Sequence, residues 1–521
     1  MKRLPIATAA LLAVCACGGK TDSTPAGPTT ITLSQNSFSV AQAGETVSLT
    51  VTAPARPKIS GVPSWITVTE GAYKDYKMSI DLTAASNETY DNRTADLSVF
   101  CAGADAVALT VTQPGMEPPV QPTTEFSLDT DDPLVLSARL GLGWNMGNHF
   151  DAYYGDWAGD REGFPDEEVW GNPKATKTTF VKLKEAGFTS VRIPVSWLRM
   201  IGSAPGYTIN QTWMDRVHEV TLWAKEAGLY VIVNTHHDEN HGVENTYQWL
   251  DIKNAANDAS LNVQIKEEIK AVWTQIAEKF KDCGDWLILE GFNELNDGGW
   301  GWSADFKANP YKQAGILDEW NQVFVNTVRA TGGNNATRWL GVPTYCANPE
   351  YEKYLTMPSD PAGRLMLSVH FYDPSDYTIG DGQQSDWGHT GKAGQKASGG
   401  DEDHVRSVFG NLYTKYVSKG VPVYLGEFGC SLRDKSDTRA WAFYLYYMEY
   451  VVKAAKTYGM PCFLWDNGAA GSGKEHHAYI NHGTGDYIGN SKDVIDVMKK
   501  ARFTESADYT LDAVYNSAPS L

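Results

Sequence analysis

The run "LILE", residues 287–290, reads as a buried strand, and Asn293 and Glu294 follow within four residues. A charge buried without a partner is costly, so a carboxylate closing an apolar strand has to be delivered somewhere other than a core. Glu427 stands in the same situation near the end of "VPVYLGEFG". Other apolar runs also end on polar or aromatic groups: Arg192 in "VRIPV", His236 and His237 in "NTHHD", His370 and Tyr372 in "VHFY", and Trp465 in "FLWDNG". His370 and Tyr372 are two apart, which on a strand points both the same way. Two carboxylates converging over one cleft can break a glycosidic bond. One, protonated, donates to the leaving oxygen, and the other, ionised, attacks the anomeric carbon. A neighbouring cation and hydrogen bonds keep one carboxylate charged, while desolvation raises the pKa of the other.

These residues need elements that bring them together. From about Glu125 the sequence alternates β-rich runs with amphipathic helical stretches such as "TWMDRVHEVTLWAKEAG". Eight runs are recognisable, at "LGLGWNMG", "FTSVRIPV", "LYVIVNTH", "WLILEGFNE", "RWLGVPT", "LMLSVHFY", "VPVYLGEFG" and "MPCFLWDNG". Gly187, Gly228, Gly420 and Gly459 each stand just ahead of the next strand, as helix C-caps do. Eight such units predict an α/β fold, a (β/α)8 TIM barrel, in which residues at the C-terminal strand ends face the active-site mouth. Glu290, four residues before Glu294, would share its face about 13 Å deeper, in a structural network.

The residues carry a family resemblance. Asn293-Glu294 ending strand four and Glu427 ending strand seven, with "GWNMGN", "VRIPVSW", "HHDE", "LEGFNEL", "HFYDP", "GEFG" and "WDNG" in order, resemble the glycoside hydrolase family 5 cellulases, subfamily 4 in particular. The resemblance spans residues 130–503. It implies that Glu294 is the acid/base and Glu427 the nucleophile of a retaining endo-β-1,4-glucanase. Arg192 would then supply positive charge beside Glu427, and Tyr372 a phenol bonded to it. Asn293 would hold the sugar 2-hydroxyl, His236 and His370 would position substrate and acid, and Trp465 would form the floor under the sugar. His237 is expected to be structural. Leu295 follows Glu294 where many relatives carry Pro.

Ahead of the barrel, short alternating segments from Thr30 ("TVSLTVTA", "KMSIDLTA", "TADLSVF", "ALTVTQ" among seven) predict a small all-β, immunoglobulin-like sandwich. With "PSWITVT", "NRTADLSV" and "LTVTQPG" it resembles a BACON domain, a glycan-binding module or a spacer. The organisation expected is a signal segment over 1–16, a tether over 17–29, the sandwich over 30–114, a Pro-rich linker over 115–124, the barrel over 125–503 and a C-terminal tail over 504–521. Lys2 and Arg3 before a short apolar run, then "LLAVCACGG", resemble a bacterial lipobox with Cys17 as the lipidated residue and Cys15 second. An outer-membrane, surface-facing lipoprotein follows, with the lipid anchor as its membrane contact.

The net charge of −19 excludes nucleic acid as a partner. Cys101, Cys283, Cys346, Cys430 and Cys462 show no C-x-x-C spacing and read as buried apolar residues. "GAAGSGKE" ends in Glu475 where a P-loop needs Ser or Thr, and "HHDENH" lacks the H-E-x-x-H order. No metal and no cofactor are expected. Tyr153, Tyr154, Trp157, Trp300, Trp302 and Trp387 fall in β/α loops and are candidate sugar platforms. The expected substrate is a plant β-glucan, xyloglucan ahead of mixed-linkage glucan or soluble cellulose. A mannanase on the same scaffold and a non-catalytic glycan-binding lipoprotein are the alternatives.

Overall fold

The structure, a computed structural model, describes residues 27–117, 126–154, 166–239, 248–380, 384–471 and 473–520. Cys15, Cys17, Trp157, His241 and most of the Pro-rich linker lie outside the described residues. The chain divides after Glu117 into two compact units, each described by itself below.

The N-terminal unit holds β1 (Thr32–Leu33), β2 (Ser37–Ser39), β3 (Thr46–Thr52), β4 (Lys58–Ser60), β5 (Ile66–Glu70), β6 (Lys77–Ala84), β7 (Arg93–Cys101) and β8 (Ala104–Gln113). They make two four-stranded sheets, ordered β1-β3-β6-β5 and β2-β8-β7-β4. Strict alternation builds the core: β6 buries Met78, Ile80, Leu82 and Ala84, and β7 answers with Ala95, Leu97 and Val99. The sequence anticipates seven strands, and the described residues of the unit hold eight. The extra one, β4, is three residues with a single apolar position, Ile59, too short to show alternation.

The second unit is a closed parallel barrel of β9 (Leu142–Met146), β10 (Ser190–Ile193), β11 (Tyr230–Asn234), β12 (Leu287–Glu290), β13 (Leu340–Pro343), β14 (Leu365–Phe371), β15 (Val423–Phe428) and β16 (Cys462–Asp466). The strands follow chain order around the ring, and β16 pairs with β9, Cys462 opposite Leu142, to close it. Nearly every strand residue is buried, because helices cover the outside and side chains fill the inside. Long helices such as Gln211–Glu226, Ala259–Phe280, Pro310–Ala330 and Thr438–Thr457 form the outer layer. Gly187 ends its helix at φ 101°, a left-handed turn where a side chain would be strained.

The residues after 503 also pack on the barrel. A helix over Leu511–Asn516 places Asp512 2.7 Å from Arg406, and Tyr515 stacks on His389 with centroids 3.9 Å apart.

Candidate active site

Arg192 points from β10 into the barrel and is fully buried. All five of its N–H groups are engaged. Nε and Nη2 grip Glu290 at 3.0 and 2.7 Å, Nη2 also reaches Asn293 Oδ1 at 2.8 Å, and Nη1 serves Asn145 Oδ1 at 3.0 Å and Glu427 Oε1 at 2.8 Å. Burial acts to lower the guanidinium's pKa, but the two carboxylates outweigh it and hold it above the ordinary value. Burial also acts to raise Glu290, and Arg192 overrides it, so this carboxyl stays below its usual range. Tyr424 and Asn234 donate to Glu290 as well, at 2.8 and 3.3 Å. Glu290 is thus the anchor of the arginine, as its depth in the barrel predicts.

Glu427 faces the same cavity because of an irregularity in β15. Val369 pairs with Leu425, but the next residue, His370, pairs with Glu427, so Gly426 is the extra residue of a bulge. Tyr424 points inward to Glu290. Regular alternation would then turn Gly426 inward and Glu427 out toward the helices. The bulge turns the carboxylate back to the cleft. A side chain at 426 would lie 3.0 Å from Ser368 Oγ and 3.1 Å from His370 Nε2, so glycine also leaves room for the imidazole. The Tyr372 hydroxyl donates to Glu427 Oε2 at 3.0 Å. Burial pushes the Glu427 carboxyl above its ordinary value, with Arg192 among the groups opposing the rise.

Glu294 lies just beyond β12. Its Oε1 is 2.6 Å from His370 Nδ1, which is 3.6 Å from Glu427 Oε2. Burial lowers His370 to about 4, so the imidazole is neutral at neutral pH. Its Nε2 is buried without a hydrogen-bond partner. A bare ring nitrogen is cheaper to leave there than an N–H, which assigns the proton to Nδ1 as donor to Glu294. Oxygens of Glu294 and Glu427 and a nitrogen of His370 all lie within 4.8 Å of one another. That spacing matches a retaining carboxylate pair, held about 5–5.5 Å apart, and not the wider gap that leaves room for an inverting water. The Glu294 side chain keeps 17% exposure against 6% for Glu427. One carboxyl is therefore open to solvent, while the other is enclosed among donors.

His236 and Trp465 complete the floor. Their rings are parallel within 5° and 5.7 Å apart, and Gly147 permits the indole to lie where it does, since a Cβ there would come within 2.7 Å of it. Asn234 Nδ2 is 3.2 Å from His236 Nδ1, and its Oδ1 accepts from the Val195 N–H. The amide thus gives an N–H to Nδ1 and leaves the imidazole proton on Nε2, facing Asp151 at 4.0 Å and Glu427 at 3.9 Å. Burial keeps His236 neutral. Asp151, His236 and His237 also gather ligand-type atoms within 4.8 Å, but a ring nitrogen carrying its proton is a donor and offers a metal no lone pair. Burial acts to lower His237, yet Glu239, Asp151 and Glu427 raise it to about 9, so it is an imidazolium between carboxylates.

Glu294, Glu427, Arg192, His236, Asn293, His370, Tyr372 and Trp465, all named from the sequence, are joined by these contacts. Asn145, Asn234, Tyr424 and Asp151 join them unannounced. Asn145 sits inside "GWNMGN", and its position at a strand end was the available signal. Of the aromatic platforms, Trp300 and Trp302 are exposed, at 48% and 74%. Trp387 is a correction: it is fully buried against Tyr446, Tyr447 and Tyr450, so it packs a core and meets no sugar. Tyr154 is buried with its hydroxyl on Asp166.

Comparison with known proteins agrees with this geometry. Residues 153–471 match the model of the cellulase family, glycosyl hydrolase family 5. A xyloglucan-specific endo-β-1,4-glucanase of Bacteroides ovatus is 34% identical over 445 residues, 82% of this chain and 83% of that protein. Endoglucanase A of Paenibacillus barcinonensis is 37% identical over 351 residues, 64% of this chain and 82% of its own. Among solved structures, a GH5-4 broad-specificity endoglucanase from Bacteroides salanitronis is 47% identical with a TM-score of 0.68, covering 74% of this chain and all of that one. A Bacteroides ovatus GH5 xyloglucanase in complex with a XXXG heptasaccharide covers 91% of this chain and 99% of its own, at 28% identity and a TM-score of 0.60. With a barrel, a paired-carboxylate cleft and these relatives in agreement, the chain belongs to glycosyl hydrolase family 5 and is a glycosidase.

Proposed function

We propose that the protein is a retaining endo-β-1,4-glucanase with Glu427 as nucleophile and Glu294 as acid/base. The observation that carries this reading is the unequal setting of two carboxylates that approach within 4.8 Å. Glu427 accepts from Arg192 and Tyr372, which favour its ionised form. Glu294 contacts a neutral imidazole and opens to solvent. In the first step Glu427 bonds to C1 of the sugar, the glycosidic bond breaks, and Glu294 gives its proton to the leaving oxygen. In the second, water adds to C1, Glu294 takes the water's proton, and the ester to Glu427 breaks. Asn293, whose Oδ1 is committed to Arg192, turns its amide N–H groups to the sugar 2-hydroxyl beside the nucleophile. Trp465 and His236 carry the sugar ring.

Xyloglucan is the favoured substrate. The sequence likeness to the Bacteroides ovatus xyloglucan-specific enzyme extends over 445 residues, more than the span 118–521, and so reaches into the N-terminal unit. That unit reads as a BACON-like spacer, and Cys17 as the acylated residue of an outer-membrane lipoprotein facing outward. Replacing Cys17 with Ser would release active protein from the membrane fraction, and continued retention would overturn the anchor.

The test of function follows viscosity and reducing ends together on xyloglucan, barley β-glucan, carboxymethylcellulose and glucomannan. A fast viscosity drop with few new ends on xyloglucan is expected. Activity confined to glucomannan would make the protein a mannanase, and silence on all four would leave a glycan-binding protein.

A further inference from the structure

The ladder that closes the barrel runs out beside the floor of the cleft. Met146 of β9 pairs with Asp466 of β16, and the Gly147 N–H still donates to the Asp466 carbonyl at 2.9 Å. Beyond that point the two chains part: Asn148 turns at φ 53°, in the left-handed region, and β16 gives way to the turn at Asn467. Three carbonyls, of Gly147, Asn148 and Asn467, converge there on one side chain from a third segment. Asn172 lies in "WGNP", ahead of the helix Lys177–Ala186, and is 7% exposed. Its Nδ2 donates to Asn148 O at 2.9 Å, Asn467 O at 3.0 Å and Gly147 O at 3.2 Å. An amide has two N–H groups, so one of them is shared between two carbonyls. Gly468 permits the approach, since a Cβ there would overlap Asn172 Oδ1. Both segments are also fixed from elsewhere. The Asn148 N–H donates to Asp151 Oδ2 at 3.0 Å, and Asn467 Nδ2 donates to Glu475 O at 2.7 Å.

We infer that Asn172 is a positioning residue for the glucanase reaction, setting the plane of the Trp465 ring. The inference rests on the glucanase reading above. One segment that Asn172 grips carries Trp465, two residues before Asn467. The other backs the indole at Gly147, where a Cβ would come within 2.7 Å of it. The amide therefore fixes the separation between the residue that carries the ring and the residue that supports it. His236 lies parallel to that ring at 5.7 Å, so a tilt of the indole breaks the alignment of the whole floor. Asn172 is buried and acts through the ring, not on the substrate. A displacement of about 1 Å at a group that places the reacting sugar can cost about a hundredfold in rate, so even part of that shift is measurable.

The test is a double-mutant cycle on the full chain, read as kcat/KM on dinitrophenyl β-cellobioside. Both sugars of this substrate bind on the nucleophile's side of the scissile bond, and its reactive leaving group keeps slow variants measurable. Rates are divided by the folded fraction of each preparation. Asn172→Ala should lose about tenfold in the parent background. Asn172→Asp keeps the shape but offers no N–H, and should lose at least as much. Gly468→Ala, which displaces the amide without changing it, should reproduce the loss. In a Trp465→Ala background each of the three should cost less than about twofold, because the ring they position is gone. The acid limb of the pH profile should stay in place throughout, since Arg192 and Tyr372 still serve Glu427. Equal losses in both backgrounds would make Asn172 a structural residue and overturn the inference, as would parent-like activity in Asn172→Asp. A parent inactive on this substrate would refute the glucanase reading, and the inference with it.

Discussion

Replacing Tyr372 with Phe removes a single oxygen from the catalytic centre, and its effect can be worked out in advance. The hydroxyl donates to Glu427 Oε2 at 3.0 Å, and burial lifts the phenol's own pKa well above its ordinary value, so it stays a donor throughout the working range. A hydrogen bond to a charged group contributes about 1.5–3 kcal/mol, and this one favours only the ionised carboxylate. At about 1.4 kcal/mol per pKa unit, Glu427 should climb by about 1–2 units from a value that burial has already raised. Attack on C1 requires ionised Glu427, so its pKa in the free enzyme sets the acid limb of kcat/KM. The limb of Tyr372→Phe should therefore move to higher pH by that amount, read from initial rates on dinitrophenyl β-cellobioside from mildly acid to alkaline conditions. A linked effect has a definite sign. A carboxyl whose folded pKa lies above its unfolded value loses stability as pH rises through the folded pKa. The melting-temperature gap between parent and variant should accordingly widen as pH rises. A uniform fall in rate with an unmoved acid limb would refute the reasoning, because the phenol would then act on the transition state and not on the ionisation of Glu427.

Glu294→Ala should lose about 10²–10⁴ in kcat/KM on polymer but far less in the first turnover of dinitrophenyl β-cellobioside, whose leaving group needs no acid; equal losses would remove Glu294 from the acid role. Arg192→Lys cannot reproduce five donors and gives up at least two charged hydrogen bonds, so urea unfolding should show a loss of about 3 kcal/mol or more, and an unchanged midpoint would contradict the buried network. Trp387→Ala should cost about 3–5 kcal/mol of stability with KM on xyloglucan unchanged, and a raised KM at full stability would return it to the cleft.

The barrel was legible because its strands are apolar on both faces and its helices are not, so the change in periodicity repeats eight times. The polar strand ends were legible for a related reason: Arg192, Glu294 and Glu427 are expensive anywhere except a site. Sequence could not reveal how they meet. That Arg192 spends donors on Asn145 and Asn293 as well as on two glutamates depends on distances between strands far apart in the chain. The burial of Trp387 depends on the path of a loop that folds back under the helix Thr438–Thr457, and composition carries no trace of that path. The bulge at Gly426 is hidden for another reason, since "LGEF" reads as an ordinary strand end.

That extra residue makes the nucleophile's presence a question of counting. Elsewhere in the barrel a loop can lengthen or shorten and leave the chemistry in place, and a conservative exchange within a strand alters only one contact. In β15 a strand that kept all its residues but paired regularly would leave the type of Glu427 untouched and still aim the carboxylate into the helix layer, where an ionised group without partners is strongly disfavoured. Loss of Gly426, by contrast, would restore regular alternation with Glu427 still beside His370. Grafting the paired glutamates onto another eight-stranded scaffold has to carry this offset with them.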